Sequence, residues 1–162
     1  MKVIKAPHEF NSDTQVKIFL AGSIEEGAAE QWQENIAQEL AGYNITILNP
    51  RRDNWDSSWV QSADNPQFKE QVEWELDAQE KSDIIVFYFA PQTKSPISLL
   101  ELGLFARSKK VVVCCSPEFW REGNVEIVCK RYNIPYSEDW ADFIKRVKEL
   151  VEEKLAALNN NS

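Results

Sequence analysis

A chain of 162 residues with 43% hydrophobic content, six Trp and eight Phe can fill one core and is too apolar to stay disordered. Its apolar runs, IIVFYFA and VVVCC among them, span five to seven residues between charged stretches, far short of the roughly 20 that a membrane span needs. Eighteen Lys and Arg against 26 Asp and Glu leave a formal charge of -8, which repels phosphate backbones and anionic membranes, so neither polymeric nucleic acid nor a membrane is an expected partner. The opening MKVIKAPHEF has no apolar core of signal-peptide length, and three cysteines cannot all pair within one chain. A soluble protein of the reducing cytoplasm is the expectation.

In chain order, the N-terminus reads as flexible, and VKIFLA (16–21) is a short run of β-formers that stops at Gly22-Ser23, a buried strand followed by a turn. In GAAEQWQENIAQELAGY the apolar Ala29, Trp32, Ile36 and Leu40 recur at helical spacing, with Gly42 as a stop. NITIL (44–48) is the second strand, and a polar loop rich in Trp, Asp, Ser and Asn follows to about Asn65. Its length exceeds the few residues that usually join strand to helix, which marks it as a binding loop. A helix over Pro66–Lys81 feeds the third strand, DIIVFYFA (83–90). After the loop PQTKS a helix opens at Pro96 with Ser95 as N-cap. KVVVCC (110–115) is the fourth strand, residues 118–132 a helix, IPYS a short edge strand, and residues 138–158 an amphipathic helix before the polar tail NNNS.

Five apolar strands alternating with helices predict a mostly parallel sheet covered on both faces, a three-layer α/β sandwich forming a single domain. No internal repeat or composition break marks a second domain. Ligands of such folds bind outside the carboxyl ends of the strands, where strand order reverses. The stretches to search are therefore 22–27, 49–59, 90–98 and 116–124.

Glu101 stands in PISLLELGLFA among Ile97, Leu99, Leu100, Leu102, Leu104 and Phe105, a helix apolar on almost every side and therefore expected to be buried. A carboxylate there loses water, its pKa rises, and such groups are often functional. It lies in the second turn, near the positive end of the helix, and Gly103 suits close packing on a neighbour. The alternative is a carboxylate paired with an Arg or turned to solvent beside Ser98. EQVEWELDAQEKSD on the preceding helix carries Glu75 and Asp77, either of which gains weight only if it faces Glu101. Paired carboxylates are what chemistry at an anomeric carbon requires.

The turn AGSIEEG offers backbone amides at Gly22 and the hydroxyl of Ser23, but there is no GxGxxG and no GxxxxGK[ST], so neither a dinucleotide fingerprint nor a P-loop is supported. Asn49, a candidate substrate contact, opens NPRRDNW after the second strand, and Arg51 and Arg52 of that segment either contact an anion or form surface salt bridges. Trp55 and Trp59 either stack on a base or anchor the loop. Cys114 and Cys115 are adjacent and face opposite sides, no CxxC or His spacing suggests zinc, and one histidine, His8, leaves no material for Ser-His or Cys-His catalysis. Carboxylates remain as the catalytic groups, and no metal or tightly held cofactor is expected.

IFLAGSI, SDIIVFYF and SPISLLELGLFA with its ELG resemble the nucleoside 2-deoxyribosyltransferase family, including the related 2'-deoxynucleoside 5'-phosphate N-hydrolases, over roughly residues 16–135. NPRR, WEL and FWREGNV fit a deoxyribosyltransferase-like branch. The resemblance implies a flavodoxin-like sheet and cleavage of an N-glycosidic bond through a covalent deoxyribosyl-enzyme, with the family's nucleophile on Glu101. It also implies a carboxylate on the preceding helix that holds the sugar or shuttles a proton. Counting back from Asp83 puts this at Glu75, and counting back from Glu101 puts it at Asp77; Glu75 is preferred because the intervening loop looks longer than the family's. Two departures matter: Phe19 replaces a tyrosine often found in the first strand, and Ser95 replaces an aspartate that contacts the base in transferases. Ser95, Ser98 and Ser23 would suit a 5'-phosphate, while Arg51 and Trp55 would line the base or phosphate side. Asn124 matches a position that completes the neighbouring subunit's pocket, which implies a homodimer or larger assembly. The expected substrate is a small nucleoside or nucleotide. The alternatives are a nucleotide-binding sensor without catalysis, or hydrolysis of a larger ribosyl compound such as NAD.

Overall fold

Buried runs of Val, Ile and Phe form the strands, and stripes at three- and four-residue spacing form the helices that cover them. The computed structural model describes residues 1–10, 16–24 and 31–160. Its elements are β1 (Lys2–Lys5), β2 (Val16–Gly22), α1 (Trp32–Glu39), β3 (Ile45–Asn49), α2 (Pro66–Lys81), β4 (Ile84–Phe89), α3 (Pro96–Phe105), β5 (Val111–Cys115), α4 (Glu122–Arg131), β6 (Tyr136–Ser137) and α5 (Trp140–Asn159). The expected helical position Ala29 and the Gly27 end of the first searched stretch lie outside the described residues, as do Asn161 and Ser162 of the tail.

The sheet has six strands in the order β1-β3-β2-β4-β5-β6, with every pairing parallel. Five strands and a flexible N-terminus were expected, so this is a correction. Lys2–Lys5 pairs with Thr46–Asn49, Ala6 N–H donates to the Asn49 carbonyl at 3.1 Å, and Trp74 Nε1 reaches the His8 carbonyl at 2.8 Å. Only Ile4 of this strand is buried. A four-residue edge strand with one core side chain leaves too little apolar pattern to be read from sequence.

Alternation along the strands divides the core into two layers. Phe19, Leu48, Phe87 and Phe89 point to the side of α2, α3 and α4, where Trp74, Ala78, Leu102, Phe105, Val125 and Cys129 meet them. Ile18, Leu20, Ile47 and Val86 point to α1 and α5 and pack on Trp32, Ile36, Phe143 and Val147. Cys115 belongs to the first layer and Cys114 to the second, as expected of neighbours in a strand. The chain leaves β2 in one direction to β3 and then crosses back over β2 to β4. The strand order therefore reverses between β2 and β4, and a crevice opens at their carboxyl ends.

α3 departs from expectation. Glu101, Leu102 and Phe105 are buried, but Ile97, Leu100 and Leu104 are 58%, 69% and 61% exposed. The helix is covered on one face only, and its bare outer face is apolar. Gly103 also points outward, with no atom within 4 Å of where a Cβ would stand, so close packing does not explain it. Among the described residues no helix is long and apolar enough to cross a membrane.

Candidate active site

Gly22 ends β2 at φ +142°, and a Cβ there would lie 2.3 Å from the Tyr88 carbonyl oxygen of β4. Only glycine lets the two strands approach this closely while the chain turns. That approach brings Ser23 against the loop after β4. Ser23 N–H donates to the Tyr88 carbonyl at 3.0 Å, and its hydroxyl lies 2.8 Å from Thr93 Oγ1 and 2.7 Å from Ser95 Oγ. Ala90 N–H donates to the same hydroxyl at 3.0 Å. Ser95 occupies the N-cap position of α3 but makes no side-chain cap: it is left-handed at φ 45°, ψ 50°, and its hydroxyl turns to Ser23. The expected cap is thus replaced by a knot of three buried hydroxyls at the switch point. Ser98, one turn into α3, is buried beside them at 5% exposure.

One further turn along α3 stands Glu101, 9% exposed. Across from it on α2, Gln71, Glu75 and Gln79 follow each other at four-residue spacing and so share one face. Gln79 Nε2 donates to Glu101 Oε2 and, at 3.2 Å, to the Glu75 carbonyl oxygen. Gln71 Nε2 donates to Glu75 Oε1 and to the Pro50 carbonyl, each at 2.8 Å. Burial pushes the Glu101 carboxyl up to about 8; the negative charge of Glu75 adds to this and the Gln79 amide opposes it. Burial likewise raises Glu75 to about 7, against the Gln71 amide. Two carboxyls that lose water together and repel each other hold their last proton jointly near neutral pH. One then serves as an anion while the other serves as an acid.

Asp77 lies elsewhere: it is exposed on the outer face of α2, with Lys81 Nζ 3.9 Å away. Phe19 is 1% exposed and packs on Trp74 with ring centroids 6.4 Å apart, in the layer beneath α2 and α3. Asn49 is buried and braces the loop, its Oδ1 accepting from Arg51 N–H at 2.9 Å. Arg51 reaches Gln31 at the start of α1 through Nη1. Trp55 is 41% exposed and meets Trp59 edge-on at 5.0 Å. Asn124 is exposed in the first turn of α4, where it lines a groove of about 310 Å³ with Leu99, Leu102, Gly103 and Trp120. The structure thus brings Glu75 to Glu101 and Ser23 to Ser95, leaves Asp77 and Asn124 on other surfaces of the chain, and keeps Trp55 half-exposed in the loop beside Trp59.

Sequence reasoning passed over three residues. Gln71 and Gln79 look like ordinary surface glutamines of a charged helix; the available signal was their fourfold spacing with Glu75, beside buried Trp74 and Ala78. Thr93, 2% exposed, stands two residues before Ser95 in the same hydroxyl-rich loop. Arg52, weighed as an anion contact or a surface ion pair, is neither free nor on the open surface. Its side chain is 8% exposed, bonded to Glu70 at 3.0 Å, with the guanidinium carbon 5.2 Å from the centre of the Trp59 ring and Nη1 buried without a partner. Among the described residues no His, Cys, Asp and Glu group together as metal ligands.

The sequence profile of the family described as nucleoside 2-deoxyribosyltransferase like matches residues 15–119, more than half of the chain. None of the curated proteins matches the sequence. Among solved structures, a conserved protein from Enterococcus faecalis V583 superposes with a TM-score of 0.60 at 16% identity, over 84% of this chain and 99% of that one. That likeness is one of fold.

Proposed function

The chain belongs to the nucleoside 2-deoxyribosyltransferase-like family, and from that premise we propose that it cleaves the N-glycosidic bond of a small nucleoside or nucleoside 5'-monophosphate, with Glu101 as nucleophile and Glu75 as its proton partner. The observation that carries this reading is the approach of a half-buried carboxyl, Glu75, to a buried one, Glu101, each with a raised pKa, on facing helices one turn below the switch-point hydroxyls. The reacting form is the one in which the pair's shared proton has passed from Glu101 to Glu75: the ionised Glu101 oxygen then attacks C1', the C1'–N bond breaks with its electron pair on the base nitrogen, and that nitrogen takes the proton held by Glu75. The sugar is left esterified to Glu101. Water, or the N–H nitrogen of an acceptor base, then attacks C1' while losing its proton to the Glu75 carboxylate, and Glu101 leaves as a carboxylate.

Ser23, Thr93, Ser95 and Ser98 supply hydroxyls for the sugar or a 5'-phosphate, and Gly22 lets the backbone approach it. Arg51, Arg52, Trp55 and Trp59 form the wall on the base side, braced by Asn49, while Phe19 is the floor. Asp77 drops out of the machinery. Asn124 belongs to the pocket of a second copy, and the apolar outer faces of α3 and α4, on which Ile97, Leu100, Leu104 and Ile127 are exposed, form the contact between copies. The absence of a hydroxyl at Phe19 favours one second reading, a nucleotide-binding module that retains the pocket without turnover.

The test is release of free base by the purified protein from deoxynucleosides, ribonucleosides and their 5'-monophosphates, with and without an acceptor base. Wild type should release base and Glu101→Ala should lose at least about 10³-fold in rate. Binding without release from any substrate would transfer the assignment to the binding module. An active Glu101→Ala would remove the proposed mechanism.

A further inference from the structure

The geometry points to Gln71 and Gln79 as positioning residues, each an amide clamp whose N–H is aimed at one reacting carboxyl by a second bond to a backbone carbonyl. This inference rests on Glu75 and Glu101 being the reacting pair. Gln79 is fully buried and Gln71 is 4% exposed, on a helix face where Trp74 and Ala78 supply ordinary core contacts. Two polar side chains in such a place are costly unless their hydrogen-bonding groups are used. The amide N–H groups are used: Gln71 on Glu75, Gln79 on Glu101. The Oε1 atoms of both glutamines, buried as well, have no partner.

Each Nε2 carries two N–H bonds and both are used: Gln71 donates to the Pro50 carbonyl as well as to Glu75, and Gln79 to the Glu75 carbonyl as well as to Glu101. The backbone carbonyl fixes which way the amide faces, since a half-turn would set Oε1 against another acceptor. The remaining N–H is thereby aimed at the carboxyl, where Met or Leu would offer no donor. In the proposed cycle it donates to Glu101 as anion and as ester carbonyl, and to Glu75 as that carboxyl gives up and regains its proton.

The charge that acts on Glu101 is that of Glu75. The other charged groups around α2 are engaged elsewhere: Arg52 with Glu70, Asp77 with Lys81, and Lys110 with the backbone carbonyls of Gln79, Glu80 and Ser82.

The deciding measurement is a ¹³C titration of glutamate carboxyls in the wild type and in Gln79→Met, which keeps the volume and removes the amide, with assignments from Glu75→Gln and Glu101→Gln. Losing the donor to its anion should make Glu101 about tenfold weaker as an acid, an upward move of about one pH unit, and the acid limb of the pH–rate profile should follow. In the wild type the Gln79 side-chain ¹⁵N and ¹³Cδ signals should titrate with the midpoint of Glu101. A folded Gln79→Met with an unmoved Glu101 midpoint overturns the inference, as do flat Gln79 signals. Should Gln79→Met fail to fold, Gln71→Met read at Glu75 and the wild-type signals decide. None of these titrations needs a substrate, so failure of the glycosidase reading, seen as absence of base release, is separable from failure of the clamps.

Discussion

Because burial raises Glu101 from an ordinary 4.5 to about 8, the folded chain keeps a proton that the unfolded chain has already released over that interval. Stability therefore falls as pH rises between those values, since the folded state binds more protons. Glu75, raised to about 7, acts in the same direction. Glu101→Gln removes the ionisation and keeps the shape. It should leave stability nearly unchanged at pH 4.5 and raise it by about 1–2 kcal/mol at pH 8, a Tm gain of roughly 2–8 °C. Thermal melts of both proteins at the two pH values test this, and an equal gain at both would show that ionisation is not the cause. The carboxylate was legible in the sequence because it is the single charge among the ten residues of α3. Its partners Gln71 and Gln79 were not, because a glutamine in a charged helix carries no local sign of being buried.

At the scale of elements, α3 has two sides with different tasks, and the sequence disclosed that it was apolar without disclosing which side was covered. Periodicity fails where nothing polar marks the outer face. The strands β2, β3, β4 and β5 were readable from their β-branched runs, and the reversal between β2 and β4 then located the crevice. β1 was hidden by its shortness. Ser95 was read as a cap because serine before proline usually is one, whereas here the tertiary contact to Ser23 wins over the local bond. If the outer face of α3 is a contact between copies, a charge at its centre should separate them. Leu100 is 69% exposed, so Leu100→Glu costs the isolated chain little while placing an unpaired carboxylate in the contact. Light scattering at about 10 µM should give a dimer or larger species for the wild type and a monomer for the variant, with circular dichroism unchanged. A wild type that is already monomeric rejects the contact.

The whole molecule adds a long-range term that neither the site nor its helices contain. Eight excess negative charges surround a crevice whose nearby cations are partly engaged: Arg52 with Glu70, and Lys94 over the Trp120 ring at 4.4 Å. A dianionic monophosphate approaching at low ionic strength therefore meets net repulsion before it meets the hydroxyls of Ser23, Thr93 and Ser95, whereas a neutral nucleoside does not. Screening shortens the reach of that repulsion from about 30 Å at 0.01 M salt to about 8 Å at 0.15 M. The ratio of kcat/KM for a 5'-monophosphate to that for its nucleoside should consequently rise, about two- to tenfold, over that range of salt. The contrary result is as informative: a ratio that falls with salt means that the local cations outweigh the net charge at the crevice, and that Arg51 and Arg52 act on the phosphate rather than on the base.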